Sequence, residues 1–134
     1  MRGQMHHLDL TVGDLGQSKP FYDLVLGFLG YRCMKSADRI VVWELTLPDG
    51  VCGFAIRAAE RPREHDRYTA GLHHFAWSAD SREEVDRLHE RLRDAGVTIL
   101  DAPAAYPQYG AGYYAVFFAD PDGLKLEFVH YKGT

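Results

Sequence analysis

The segment Met5-His6-His7-Leu8-Asp9-Leu10-Thr11-Val12 returns in pattern as Leu72-His73-His74-Phe75-Ala76-Trp77-Ser78-Ala79, so that His7 and His74 stand 67 positions apart in a chain of 134. A repeat whose period is half the chain requires two like units. Each copy is followed by an aspartate (Asp14, Asp80), a serine able to cap a helix (Ser18, Ser81) and an amphipathic stretch that ends near glycine. In the second half Val85, Leu88, Leu92 and Ala95 fall at helical spacing, with Glu83 and Glu84 in the first turn, Arg91 and Arg93 near the end, and Gly96 as the stop. In the first half Phe21, Leu24, Val25 and Phe28 have the same spacing, Pro20 is expected in the first turn, and Leu29-Gly30-Tyr31 closes the helix.

Short β-rich runs follow each helix. In both halves the last two are joined by a turn of proline, aspartate and glycine, Pro48-Asp49-Gly50 and Pro121-Asp122-Gly123. The expected hairpins join 39–47 to 51–59 and 113–119 to 124–131. A further strand directly after each helix, near 31–35 and 97–100, makes each half β-α-β-β-β. The charged run Glu60-Arg61-Pro62-Arg63-Glu64-His65-Asp66-Arg67 reads as a surface linker. The organisation expected is a single α+β domain over 1–134, with module one at about 1–60, the linker at about 60–68 and module two at about 69–134. Units of roughly 65 residues are marginal alone, so the two are expected to share a core.

Composition narrows the function. With 15 Lys and Arg against 19 Asp and Glu, the net charge of −4 lacks the footprint of a nucleic-acid or anionic-membrane binder. No run approaches the roughly 20 apolar residues of a bilayer span. Cys33 and Cys52 cannot form a disulfide framework and the first residues lack an apolar signal region, so a cytoplasmic setting is expected.

Alternation along the strands then sorts the polar groups. The first strand is expected to send His6, Leu8, Leu10 and Val12 toward its helix and His7, Asp9 and Thr11 the other way. The second copy leaves His74, Ala76 and Ser78 on the equivalent face. In the last strand Leu124, Leu126 and Phe128 are apolar, which places Glu127 with Lys125 and Val129 opposite. A carboxylate within a sheet persists when paired, hydrogen-bonded or bound to a cation. His7, His74 and Glu127 make a two-histidine, one-carboxylate set suited to a divalent ion (Fe2+, Mn2+, Zn2+, Ni2+ or Co2+) with open coordination positions. The alternative is that the histidines are hydrogen-bonded strand residues and Glu127 pairs with Lys125 or Arg57.

On the predicted inner faces, Arg57 stands with Gly53 and Ala55, and Tyr113, Ala115 and Phe117 share the penultimate strand. An aromatic pocket with one cation suits a planar or carbonyl-bearing small molecule, with Arg57 as anchor for an anionic oxygen and Asp9, Tyr113 and Phe117 beside it. The catalytic base is open among Asp9, Glu44 and Tyr113. The loop 104–114, rich in tyrosine and glycine, is a candidate lid.

Taken together, His7-Leu-Asp-Leu-Thr-Val-Gly-Asp14, Ser18-Lys-Pro-Phe21-Tyr22, Leu26-Gly27-Phe28, His74-Phe-Ala-Trp-Ser-Ala-Asp80 and Asp120-Pro-Asp-Gly123-Leu-Lys-Leu-Glu127 resemble the vicinal oxygen chelate superfamily. That superfamily includes glyoxalase I, bleomycin-resistance proteins, fosfomycin-resistance enzymes and extradiol dioxygenases. The resemblance covers the whole chain. It implies two βαβββ modules curled into an open eight-stranded mixed barrel, a homodimer, and a metal in the cavity on His7, His74 and Glu127. The fourth ligand of glyoxalase I would fall at Ala55, or at Phe54 if the register slips, and neither can ligate. A true glyoxalase I is therefore not expected. Extradiol dioxygenases and fosfomycin transferases share the three-ligand pattern but carry a tyrosine where this chain has Phe117. The resemblance thus implies a metal-dependent lyase, dioxygenase or transferase acting on a small oxygen-chelating substrate. The alternative is a drug-sequestering protein of the bleomycin-resistance type, without chemistry.

Overall fold

A computed structural model describes residues 2–133. The chain forms two compact units, Met1–Arg63 and Glu64–Thr134. The first contains β1 (His7–Val12), α1 (Leu15–Phe28), β2 (Arg32–Ser36), β3 (Ile40–Leu47) and β4 (Gly50–Ala58). The second contains β5 (His74–Ser78), α2 (Arg82–Asp94), β6 (Ile99–Ala105), β7 (Tyr114–Ala119) and β8 (Lys125–His130), with a single 3-10 turn at Pro107–Tyr109. Each unit has the expected βαβββ order.

The strands form two four-stranded mixed sheets with the orders β1-β4-β3-β2 and β5-β8-β7-β6. In both, the first strand runs parallel to the last and the hairpins are antiparallel. The two sheets thus share one topology, which is the structural form of the sequence repeat. Among the described residues no helix is long and apolar enough to cross a membrane.

α2 matches its sequence signals. Ser81 is the N-cap and accepts from the Glu84 N–H at 3.2 Å, while Glu84 Oε2 accepts from the Asp80 N–H at 2.8 Å. Val85, Leu88 and Leu92 are fully buried against the second sheet. α1 departs from expectation at its start. Asp14, in extended conformation, caps it by accepting from the Gln17 N–H at 3.2 Å, so the helix begins a turn early. Ser18 and Pro20 consequently lie inside it. The buried stripe is Ser18, Phe21, Tyr22, Val25 and Leu26, which replaces the expected Leu24 and Phe28 with Tyr22 and Leu26. Tyr22 packs on Phe54 and Trp43 at ring distances of 5.2 and 6.4 Å. Trp43 Nε1–H donates to Asp23 Oδ1 at 3.0 Å, fastening helix to sheet.

The strand after α2 is longer than expected and takes in Pro103. β6 is an edge strand with two register shifts, where a residue without an N–H removes little pairing. The irregular loop therefore starts at Tyr106 rather than Ala104.

Candidate functional site

The turn before β8 explains how its acid is placed. Asp120 is buried, and its Oδ1 accepts from the N–H groups of Asp122 and Leu124, each at 2.9 Å. Gly123 supplies the positive φ of 82° that the turn needs. β8 then alternates, with Leu126 and Phe128 in the core and Glu127 on the opposite face, paired in register with Phe117 and Ala76.

Glu127 is only 2% exposed. Its Oε1 lies 3.3 Å from His74 Nε2, and its Oε2 accepts a hydrogen bond from the Tyr113 hydroxyl. Burial pushes the Tyr113 phenol well above its ordinary range, reinforced by that bond and by the Glu127 charge, so the group remains a donor. Aromatic rings surround the acid. Phe117 lies 6.5 Å from the His74 ring and 5.4 Å from Tyr106, and Tyr106 stacks on Tyr109 at 5.6 Å. Tyr113 meets both Tyr109 and Tyr131. Tyr131, expected as the last residue of the final strand, instead lies just past β8, which ends at His130, and turns its ring to the site. Gly110 allows the loop to close on it: a Cβ there would stand 2.6 Å from the Tyr131 ring.

The first unit gathers a different set. His7, Asp9, Glu44 and Arg57, together with Gly53 and Ala55, line a hollow of about 280 Å³. Arg57 Nε–H donates to Asp9 Oδ2 at 2.7 Å. Arg57 is thus engaged with Asp9 and Lys125 lies 4.6 Å over the Phe117 ring, so the alternative pairing of Glu127 with either cation is not what forms.

The residues foreseen from sequence therefore fall into two groups. His7, Asp9 and Arg57 come together in the first unit, and His74, Tyr113, Phe117 and Glu127 in the second. Among the described residues no three ligating side chains are gathered closely enough to hold a metal ion.

Tyr113 lies just before β7 yet stays on the face of Phe117, as alternation predicts, and meets Glu127 there. One detail corrects the alternation: His6, just before β1, lines the same hollow as His7 instead of facing the helix. His6 Nδ1 sits 2.9 Å from His7 Nδ1, and His73 Nδ1 sits 2.8 Å from His74 Nδ1. Burial, with the His74 charge next, lowers the His73 pKa. The doubled His-His dipeptide was visible in the sequence, but the second role was not.

Strand register also locates the fourth-ligand position. Ala55 is opposite Asp9 just as Glu127 is opposite Ala76, and Asp9 and Ala76 are repeat counterparts. Ala55, not Phe54, is thus the first unit's equivalent of Glu127; Phe54 is buried beside Tyr22.

Comparison with known proteins agrees with this architecture. Curated relatives include YqjT of Bacillus subtilis (strain 168), itself uncharacterized, at 34% identity over 93% of this chain and 97% of that protein. They also include the glutathione transferase FosA of Serratia marcescens, at 33% over 95% and 80%, and the lactoylglutathione lyase of Haemophilus influenzae, at 31% over 98% and 95%. The crystal structure of a candidate glyoxalase from Bacillus halodurans superposes with a TM-score of 0.82, at 32% identity over 97% of both chains. Residues 4–128 match the family model itself, so the chain belongs to the Glyoxalase/Bleomycin resistance protein/Dioxygenase superfamily.

Proposed function

We propose that this protein is a divalent-metal-dependent enzyme acting on a small molecule with chelating oxygens, the ion being held by His7, His74 and Glu127. The observation that carries this reading is the setting of Glu127, a carboxylate buried in a sheet whose ionic neighbour is an imidazole. A carboxylate oxygen and an imidazole nitrogen converging at 3.3 Å supply two donors of the kind that Fe2+, Mn2+, Zn2+, Ni2+ and Co2+ accept. We assign the third donor to His7, the repeat counterpart of His74, supplied by the same chain or by a second copy in a homodimer.

When bound, such an ion supplies Lewis-acid polarisation of a substrate oxygen. The chain's own groups do the rest. Tyr113 holds Glu127 Oε2, which leaves Oε1 directed to the His74 side. The Phe117, Tyr106 and Tyr109 rings offer flat surfaces to a planar substrate. Arg57, steadied by Asp9, provides a cation for an anionic oxygen. Ala55 offers no fourth ligand, which sets this chain apart from a true glyoxalase I. A lyase, dioxygenase or transferase reaction at a three-ligand site is the reaction class that fits.

The stacked tyrosines favour one other reading, a protein that sequesters a flat drug without chemistry. Elemental analysis and Co2+ titration of chelator-stripped wild type, His74→Ala and Glu127→Ala decide between the two. One ion per chain in wild type, with affinity lost in both variants, is the expected result. Negligible metal in all three would overturn the enzyme reading in favour of the drug binder.

A further inference from the structure

We infer that His6 and His73 are positioning residues, each fixing the ring orientation and proton placement of the strand histidine that follows it. The inference rests on the reading of His7 and His74 as ligands and deepens it. His6 Nδ1 lies 2.9 Å from His7 Nδ1 with the rings at 85°, and His73 Nδ1 lies 2.8 Å from His74 Nδ1 with the rings at 75°.

This geometry recurs while its surroundings differ between the units. The residue opposite His7 is Gly53 and the one opposite His74 is Lys125; Asp9 and Ala55 in one unit face each other where Ala76 and Glu127 do in the other. Both leading histidines stand just before a strand begins, where no pleat forces neighbouring side chains apart.

Two imidazole nitrogens can hydrogen-bond only if one bears the proton and the other the lone pair. If His7 and His74 donate Nδ1–H, their Nε2 atoms are left with lone pairs, and an outer partner of this kind both orients a ligand ring and raises its basicity. Nε2 is the atom the second unit presents to Glu127 Oε1. The reverse polarity would place N–H on Nε2 and block an ion. With His7 and His74 as Nε2 ligands, the acceptor role falls to His6 and His73.

Two measurements test this. Long-range nitrogen-15 correlation spectra of the Zn2+-loaded protein report which ring nitrogen is protonated, and Co2+ titrations compare His6→Phe and His73→Phe with His6→Asn and His73→Asn. Phenylalanine keeps a ring without an acceptor, whereas the asparagine carbonyl accepts from a similar position. The expected results are Nδ1–H on His7 and His74, Co2+ affinity lower by about 10–100-fold in the phenylalanine variants, and recovery in the asparagine variants. Nδ1–H on His6 and His73 instead, or phenylalanine variants that bind Co2+ as wild type does, would overturn the assignment. A wild type that binds neither Zn2+ nor Co2+ would instead sink the ligand reading, on which this inference rests.

Discussion

Replacing Gly53 with alanine probes how finely His7 is placed. Gly53 is the register partner of His7 across β1 and β4, and a Cβ built on it would stand 3.1 Å from His7 Cβ. Ordinary contacts of this kind begin at 3.4 Å, so the two strands or the His7 ring must give by a few tenths of an ångström. The backbone gain from replacing glycine within a strand is about 0.5–1 kcal/mol. Strain at the close contact offsets a similar amount, so folding free energy is expected to change by less than about 1 kcal/mol. Metal bonds are less forgiving, with a tolerance of about 0.2 Å in ligand distance. A tenfold loss of Co2+ affinity, about 1.4 kcal/mol, is the expected consequence. Calorimetric Co2+ titration gives the affinity, and urea unfolding followed by Trp43 and Trp77 fluorescence gives the stability. Unchanged affinity would refute the placement argument, and so would an affinity loss that merely tracks a large loss of stability.

Two further outcomes follow from features away from the site. Gly27 lies exposed within α1, and a Cβ there meets nothing within 4 Å, so Gly27→Ala should raise stability in urea by about 0.8–1 kcal/mol; no gain would show that the helix end is not held in helical form. Tyr114 donates to Asp86 Oδ1 at 2.6 Å, linking β7 to α2, and that bond, followed by burial, raises its pKa above 10.0. A folded-state pKa above the unfolded one contributes stability that is intact below pH 10 and is lost as pH rises through the raised value. Thermal melts of wild type should therefore fall more steeply above that pH than those of Tyr114→Phe, and parallel alkaline slopes would contradict the assignment.

Much of this fold was legible because its signals are local and periodic. The Ser81 cap, the spacing of Val85, Leu88 and Leu92, and the two proline-aspartate-glycine turns each act over a few residues. The first helix was read less well, since Asp14 and Ser18 are both plausible caps and only packing selects the face that buries Tyr22 and Leu26. β6 runs to Ala105, past the expected end near Leu100, and takes in Pro103 because the strand lies at an edge, which only the sheet order reveals.

The candidate site divides along the same line. Sequence by itself determined that His7, His74 and Glu127 stand on the faces turned away from the helices, because alternation is a property of the strand backbone and the repeat carries it from one half to the other. Only the tertiary structure decided what those side chains touch: Tyr113 on Glu127, Asp9 on Arg57, His6 and His73 on their neighbours. Such partners depend on register between strands distant in the chain, and on where the backbone leaves the pleat. Periodicity encodes neither.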